Sequence, residues 1–182
     1  MKNCLFSLFF LISSGFTLAE NFSSQTIDLG VVVTDIEKSL EFYKEVVGFT
    51  EGDGFDVTGD FPKKVGLTDG TPLKIHVLTL GEDETATKLK LMQVSSPKPT
   101  RKIKQPYIHT LSGFSYLTIF VKDVDLVMSN AKKKGYKAYA DSPQTLPKGL
   151  PQDICLLMLK DPDGNFVEIV GPNTKALQGN SK

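Results

Sequence analysis

Apolar positions along the chain switch between a period near two and a period near 3.6, in the same order, twice. Asp28 to Val33 is a β-branched run that predicts a strand. Asp35 then has the character of a helix N-cap. Ile36, Leu40, Tyr43 and Val47 recur at helical spacing, with Glu37, Lys38, Glu41 and Lys44 turned to water and Gly48 placed to end the helix. Phe49 opens an extended segment. Glu51 to Gly70, rich in Gly and Asp, predicts a loop with a short helical turn near Phe61 to Val65. Pro72 to Gly81 and Lys88 to Val94 predict a strand pair around a polar turn.

The second half repeats this order. Phe114 to Val121 predicts a strand, Asp123 caps a helix striped by Val124, Val127, Met128 and Ala131, and Gly135 ends it. Tyr136 to Ala140 predicts the start of the next strand, Asp141 to Gln152 a loop, and Ile154 to Leu159 a strand. Asp161-Pro162-Asp163-Gly164 is a strong turn signal, and Phe166 to Val170 closes the series. The two capping aspartates stand 88 positions apart, so the chain reads as a duplicated module. The expected division is a leader over 1–19, a lead-in over 20–26, one βαβββ module over 27–94, a proline-rich linker over 95–112, a second module over 113–172 and a polar tail over 173–182. The fold class this predicts is α+β, with two curled mixed sheets enclosing a cleft, where a ligand is expected.

Composition adds two points. Lysine plus arginine equals aspartate plus glutamate, 21 each, so no charge excess points to nucleic acid or an anionic membrane surface. Lys2, the apolar run Leu5 to Ile12 and Thr17-Leu18-Ala19 have the form of a cleaved signal peptide. The expectation is a periplasmic or secreted protein with no membrane attachment after cleavage. Beyond Ala19 only Cys155 remains, so no internal disulfide can form; its apolar run predicts a buried thiol.

One charge interrupts the last strand. Alternation places Phe166, Glu168 and Val170 on one face. Glu168 is then either a solvated residue of an outer face or a ligand or acid/base group aimed into the cleft.

At this point the chain resembles the vicinal oxygen chelate superfamily, which includes glyoxalase I, bleomycin-resistance proteins and extradiol dioxygenases. The resemblance rests on LGVVVTDIEKSLEFYKEVVGF in the first half, and on LTIFVKDVDLVMSNAKKKGY and LKDPDGNFVEIVGP in the second. It implies four metal-ligand positions, two per half, which fall here on Asp28, Lys90, Tyr116 and Glu168. Only Glu168 keeps the family's residue type, with Asp28 a candidate oxygen ligand. A protonated lysine cannot coordinate a cation, so Lys90 is expected to pair with Glu168 or Asp28, or to meet an anionic ligand. Tyr116 is expected to wall the cleft, with Phe114 and Phe120 on the same strand face by parity. His76 is the spare base if the protein is an enzyme.

The resemblance therefore implies an exported domain that binds a small molecule between its modules, with an incomplete metal site and no resident cofactor. The alternative is a glyoxalase-like lyase or isomerase, or a dioxygenase, using zinc, nickel, manganese or iron near Asp28 and Glu168, with Glu168 the candidate catalytic residue. Pairing of two copies is a further expectation from the resemblance.

Overall fold

The computed structural model describes residues 21–95 and 100–174. The expected leader and most of the expected tail lie outside the described residues. Within them, β1 (Leu29–Val32) leads into α1 (Ile36–Glu41), whose N-terminus is capped as the sequence requires: the Asp35 carboxylate accepts from the Lys38 N–H. A π-helical segment (Phe42–Val47) continues α1 and ends at left-handed Gly48, φ 104°. The Gly48 N–H closes a wide turn on the Tyr43 carbonyl at 3.0 Å. This segment turns Phe42, Tyr43, Val46 and Val47 all inward.

Next come β2 (Thr50–Glu51), β3 (Phe55–Val57), the short α2 (Phe61–Lys64), β4 (Leu73–Thr79) and β5 (Lys88–Met92). The second half supplies β6 (Tyr116–Phe120), α3 (Val124–Lys133), β7 (Gln144–Thr145), β8 (Ile154–Lys160) and β9 (Phe166–Pro172). Asp123 caps α3 by accepting from the Asp125 N–H.

Two mixed sheets result. The first has the order β1-β5-β4-β2, with β3 pairing beside β2 on β4; the second has the order β6-β9-β8-β7. In each, the strand before the helix pairs parallel with the last strand of its module, and the remaining pairs are antiparallel. The expected α+β architecture of two such modules is therefore present.

Each sheet has one face against helix and one face away from it. Leu78, Leu89 and Leu91 of the first sheet, and Leu157, Leu159, Val167 and Ile169 of the second, are buried. They join Phe42, Tyr43, Val124 and Val127 in one continuous core that crosses both halves. Cys155 is buried and unpaired. At roughly 1.5–3 kcal/mol per fully buried apolar side chain, this shared core dominates the favourable side of folding.

Two segments differ from the sequence expectation. Tyr136 to Ala140 forms no strand; Ala140 has φ 54°, and the sheet's edge strand β7 falls later, inside the expected loop. The Ser142 hydroxyl takes over part of the ladder here: it accepts the Met158 N–H at 3.1 Å and donates to the Tyr139 carbonyl at 2.9 Å, while the Tyr139 N–H keeps its bond to the Met158 carbonyl at 2.7 Å. The expected loop after Glu51 also contains β3, which needs the backbone of Gly54 close to β4: a Cβ there would sit 2.3 Å from the Ile75 carbonyl oxygen.

Candidate functional site

The Asp161–Gly164 turn joins the halves. Pro162 fixes the bend and Gly164 takes φ 92°. The turn folds both of its carboxylates inward, leaving Asp161 at 5 % and Asp163 at 4 % exposure. Asp161 accepts the Asp163 and Asn165 N–H groups at 2.9 and 2.8 Å, the Asn165 side-chain amide at 2.8 Å, and the Tyr43 hydroxyl at 2.9 Å. Burial pushes the Asp161 carboxyl above its usual range even though these donors pull it down. Burial likewise pushes the Tyr43 phenol well above its usual value. Asp163 accepts from the Thr34 N–H and hydroxyl, at the end of β1. Both carboxylates thus belong to the second half and take donors from the first.

The described part of the expected linker is tied to the same turn. The Ile103 N–H donates to the Asp163 carbonyl at 2.8 Å, and the Lys102 ammonium donates to the Pro162 carbonyl at 2.8 Å. Gly164 is required here: a Cβ would lie 2.3 Å from the Ile103 carbonyl oxygen. Farther on, the Lys160 ammonium donates to the Gln105 carbonyl at 2.6 Å and lies 4.3 Å from the centre of the Tyr139 ring and 4.5 Å from that of Phe166.

Between β1, the start of β6 and this pinned segment lies a cavity of about 460 Å³, within the usual size of a small-molecule site. Its wall includes Asp28, Gly30, Val32, Arg101, Phe114 and Tyr116. Three residues expected from the sequence, Asp28, Phe114 and Tyr116, therefore come together. Lys90 joins them indirectly, because its ammonium pairs with the Asp28 carboxylate at 2.8 Å. This partner holds the Asp28 carboxyl below its usual range.

The other expected residues lie elsewhere. Register puts Glu168 opposite Thr118 and Met158, on the sheet face that carries Tyr116 and Phe120. Glu168 accepts from the Thr118 hydroxyl and does not line the cavity. Phe120 is 78 % exposed and also outside the wall. His76 is on the opposite face from Lys90, since it shares parity with buried Leu78; its Nδ1 lies 3.0 Å from Glu51, which also pairs with Lys44 at 2.6 Å. Asp28, Glu168 and His76 thus form no cluster. Arg101, Tyr43, Asp163 and Asn165 line the cavity but were not singled out as site residues from the sequence. The turn motif and the placement of Tyr43 on the apolar helix stripe are the signals for three of them, and the sequence carries none for Arg101.

The family model for the glyoxalase/bleomycin resistance protein/dioxygenase superfamily matches residues 26–169. The chain belongs to this superfamily. Solved structures of the same fold include a glyoxalase family protein from Bacillus cereus, 16 % identical, with TM-score 0.64 over 84 % of this chain and 97 % of that one. A glyoxalase I mutant from Zea mays is 20 % identical, with TM-score 0.59 over 81 % of this chain but only 44 % of that one, so this superfamily member spans under half of the maize enzyme. The trypanothione-dependent glyoxalase I of Leishmania major is 19 % identical, with TM-score 0.52 over 87 % of this chain and 93 % of that one. At these identities the likeness concerns the fold. No curated protein matches the sequence.

The divalent metal that the superfamily often uses does not fit the residues present. Of the four implied positions, one carries an ammonium that already engages Asp28, and one carries a phenol. A dication beside the Lys90 ammonium would be repelled by roughly 8 kcal/mol at 4 Å and an effective dielectric of 20. Among the described residues, no group of three or more His, Cys, Asp or Glu side chains could hold a metal ion.

Proposed function

We propose that this superfamily member is a binding protein that takes a small organic molecule into the cavity between its modules, without a divalent metal. One observation carries the reading: the cavity of about 460 Å³ stands at the junction of the two first strands, where the implied ligand positions hold an Asp28–Lys90 ion pair and a tyrosine instead of metal donors. Bound there, a ligand meets apolar wall from Val32, Phe114 and Leu117. The lysine neutralises the carboxylate that would otherwise be charged and alone beside an apolar guest.

Export belongs to the same proposal and rests on the composition of residues 1–19; N-terminal sequencing of the protein from its native compartment tests it. Pairing of two copies is likewise proposed from the resemblance, and sedimentation of the purified protein tests it.

The binding test uses Gly30. A Cβ at this position meets only Met92 Cε, at 3.6 Å, so a side chain can be added with little strain. Gly30→Leu would project into the cavity and narrow it. The neutral fluorophore N-phenyl-1-naphthylamine is expected to bind the parent and to lose at least tenfold in affinity to Gly30→Leu, with unchanged circular dichroism. Elemental analysis of the same parent sample is expected to show no stoichiometric divalent metal. Equal binding by both proteins, or a bound metal, would overturn the proposal.

A further inference from the structure

We infer that the cavity selects an amphipathic organic anion, a carboxylate or sulfonate on an apolar body, and that Arg101 recognises its charge. This rests on the small-molecule reading above and names the ligand class for the same site.

Most polar side chains of the wall are already engaged. Asp28 is engaged by Lys90. Tyr43 and Asn165 both donate to Asp161. The Ser115 hydroxyl is directed at the carbonyls of Ile108 and Gly113, each at 3.3 Å. Asp163 accepts from the Thr34 N–H and hydroxyl. That leaves Arg101 and the Tyr116 hydroxyl, neither of which makes a hydrogen bond or ion pair among the described residues. Beside polar groups that are already engaged, the wall thus holds a guanidinium and a phenol with no acceptor among the described residues. A ligand that supplies an anionic oxygen completes it.

Arginine suits this role better than a mobile ammonium. Its planar fork meets two oxygens of one carboxylate or sulfonate at once, and it is weakly hydrated enough to lie against apolar surface. The position also fits. Arg101 is exposed, but its chain neighbours Lys102 and Ile103 are pinned to the Asp161–Gly164 turn, so the backbone that carries it is held at the cavity. Asp163 sets the orientation. Its buried carboxylate repels an anion placed beside it, so the ligand's charge stays at Arg101 while its apolar body lies against Val32 and Phe114.

The test compares two fluorescent probes of similar ring size, anionic 8-anilino-1-naphthalenesulfonate and neutral N-phenyl-1-naphthylamine, titrated into the parent, Arg101→Gln and Arg101→Lys. The expected result is a loss of about tenfold in sulfonate affinity in Arg101→Gln, a typical effect of removing one charge-assisted contact. Arg101→Lys should restore part of it, and the neutral probe should bind all three equally. Sulfonate binding in the parent should also weaken as salt is raised from 50 to 500 mM. If both probes bind the parent and Arg101→Gln changes neither, anion selection is overturned while the small-molecule reading stands. If neither probe binds the parent, or Gly30→Leu leaves both bound, both proposals fall.

Discussion

Replacing Tyr43 by phenylalanine tests how the two halves are joined. The substitution removes one hydroxyl and leaves the packed ring, so it opens no cavity beyond a single oxygen. Tyr43 is fully buried and its rings pack edge-on with Phe42 and Phe49, at centroid distances of 5.1 and 6.0 Å, so the ring itself stays fixed. What is lost is the 2.9 Å hydrogen bond to Asp161, a donor from the first half to a buried carboxylate of the second. Hydrogen bonds to charged groups contribute about 1.5–3 kcal/mol. Asp161 keeps its three other donors, which argues for the middle of that range. We expect a loss of about 2 kcal/mol at pH 7.5 in urea unfolding, or a fall in Tm of roughly 4–8 °C for a chain of this size. The pH dependence gives a second readout. Burial raises the folded-state value of Asp161, so its proton binds more tightly in the folded protein than in the unfolded chain. Its charge therefore costs stability at neutral pH, and that cost falls as pH drops towards the ordinary carboxylate range. The Tyr43 hydroxyl supports the charged form, so its removal should cost less as pH falls through the folded-state value of Asp161 than it does at pH 7.5. A cost below about 0.5 kcal/mol at pH 7.5 would refute the assignment of Tyr43 to the joint.

Two further substitutions probe the neighbouring parts. Gly164→Ala forces a Cβ into a φ of 92° and to within 2.3 Å of the Ile103 carbonyl, and should cost at least about 2 kcal/mol while speeding tryptic cleavage at Arg101 and Lys102; unchanged proteolysis would show that the turn does not hold this segment. Lys90→Met frees Asp28, and because the pair is about one-third exposed the cost at pH 7 should be within about 1 kcal/mol. Asp28 is held below its usual range in the folded protein, so this contribution is present above the unfolded-state value and lost as pH falls through the folded-state one; a variant whose deficit persists in full at pH 2 would contradict that sign.

The fold was readable because the signals that specify it are local. Asp35 and Asp123 cap their helices through their own side chains, and Gly48 and Gly135 take the positive φ that ends them. Strand parity then fixed which residues share a face with Glu168. The site was less readable because its geometry depends on contacts between distant parts of the chain. Tyr43 and Asp161 are 118 positions apart, and Thr34 and Asp163 are 129 apart. Nothing in Asp161-Pro162-Asp163-Gly164 alone says that both carboxylates are buried, since the same residues serve in any exposed turn. The placement of His76 on the helix side follows from parity with Leu78, but only once the register of β4 against β5 is known. Arg101 sits in a proline-rich stretch whose composition reads as a spacer, and only its pinned neighbours bring it to the cavity.

If the proposed ligand binds, these contacts link its binding to the stability of the joint. Tyr43 and Asp163 both line the cavity and hold the halves together, so the same side chains would meet a ligand and the neighbouring module. A ligand in the cavity contacts residues of β1 and of β6, and separation of the halves would break one set of contacts or the other. It binds the joined form and not the separated one, and so stabilises the joint by mass action, by about 2.7 kcal/mol at a hundredfold excess over its dissociation constant. The gain is similar to the expected cost of removing the Tyr43 hydroxyl. A ligand of the proposed class should therefore restore the Tm of Tyr43→Phe to near that of the unliganded parent. In this chain the buried carboxylates of one turn, with donors from the other half, supply a protein-only link between the modules.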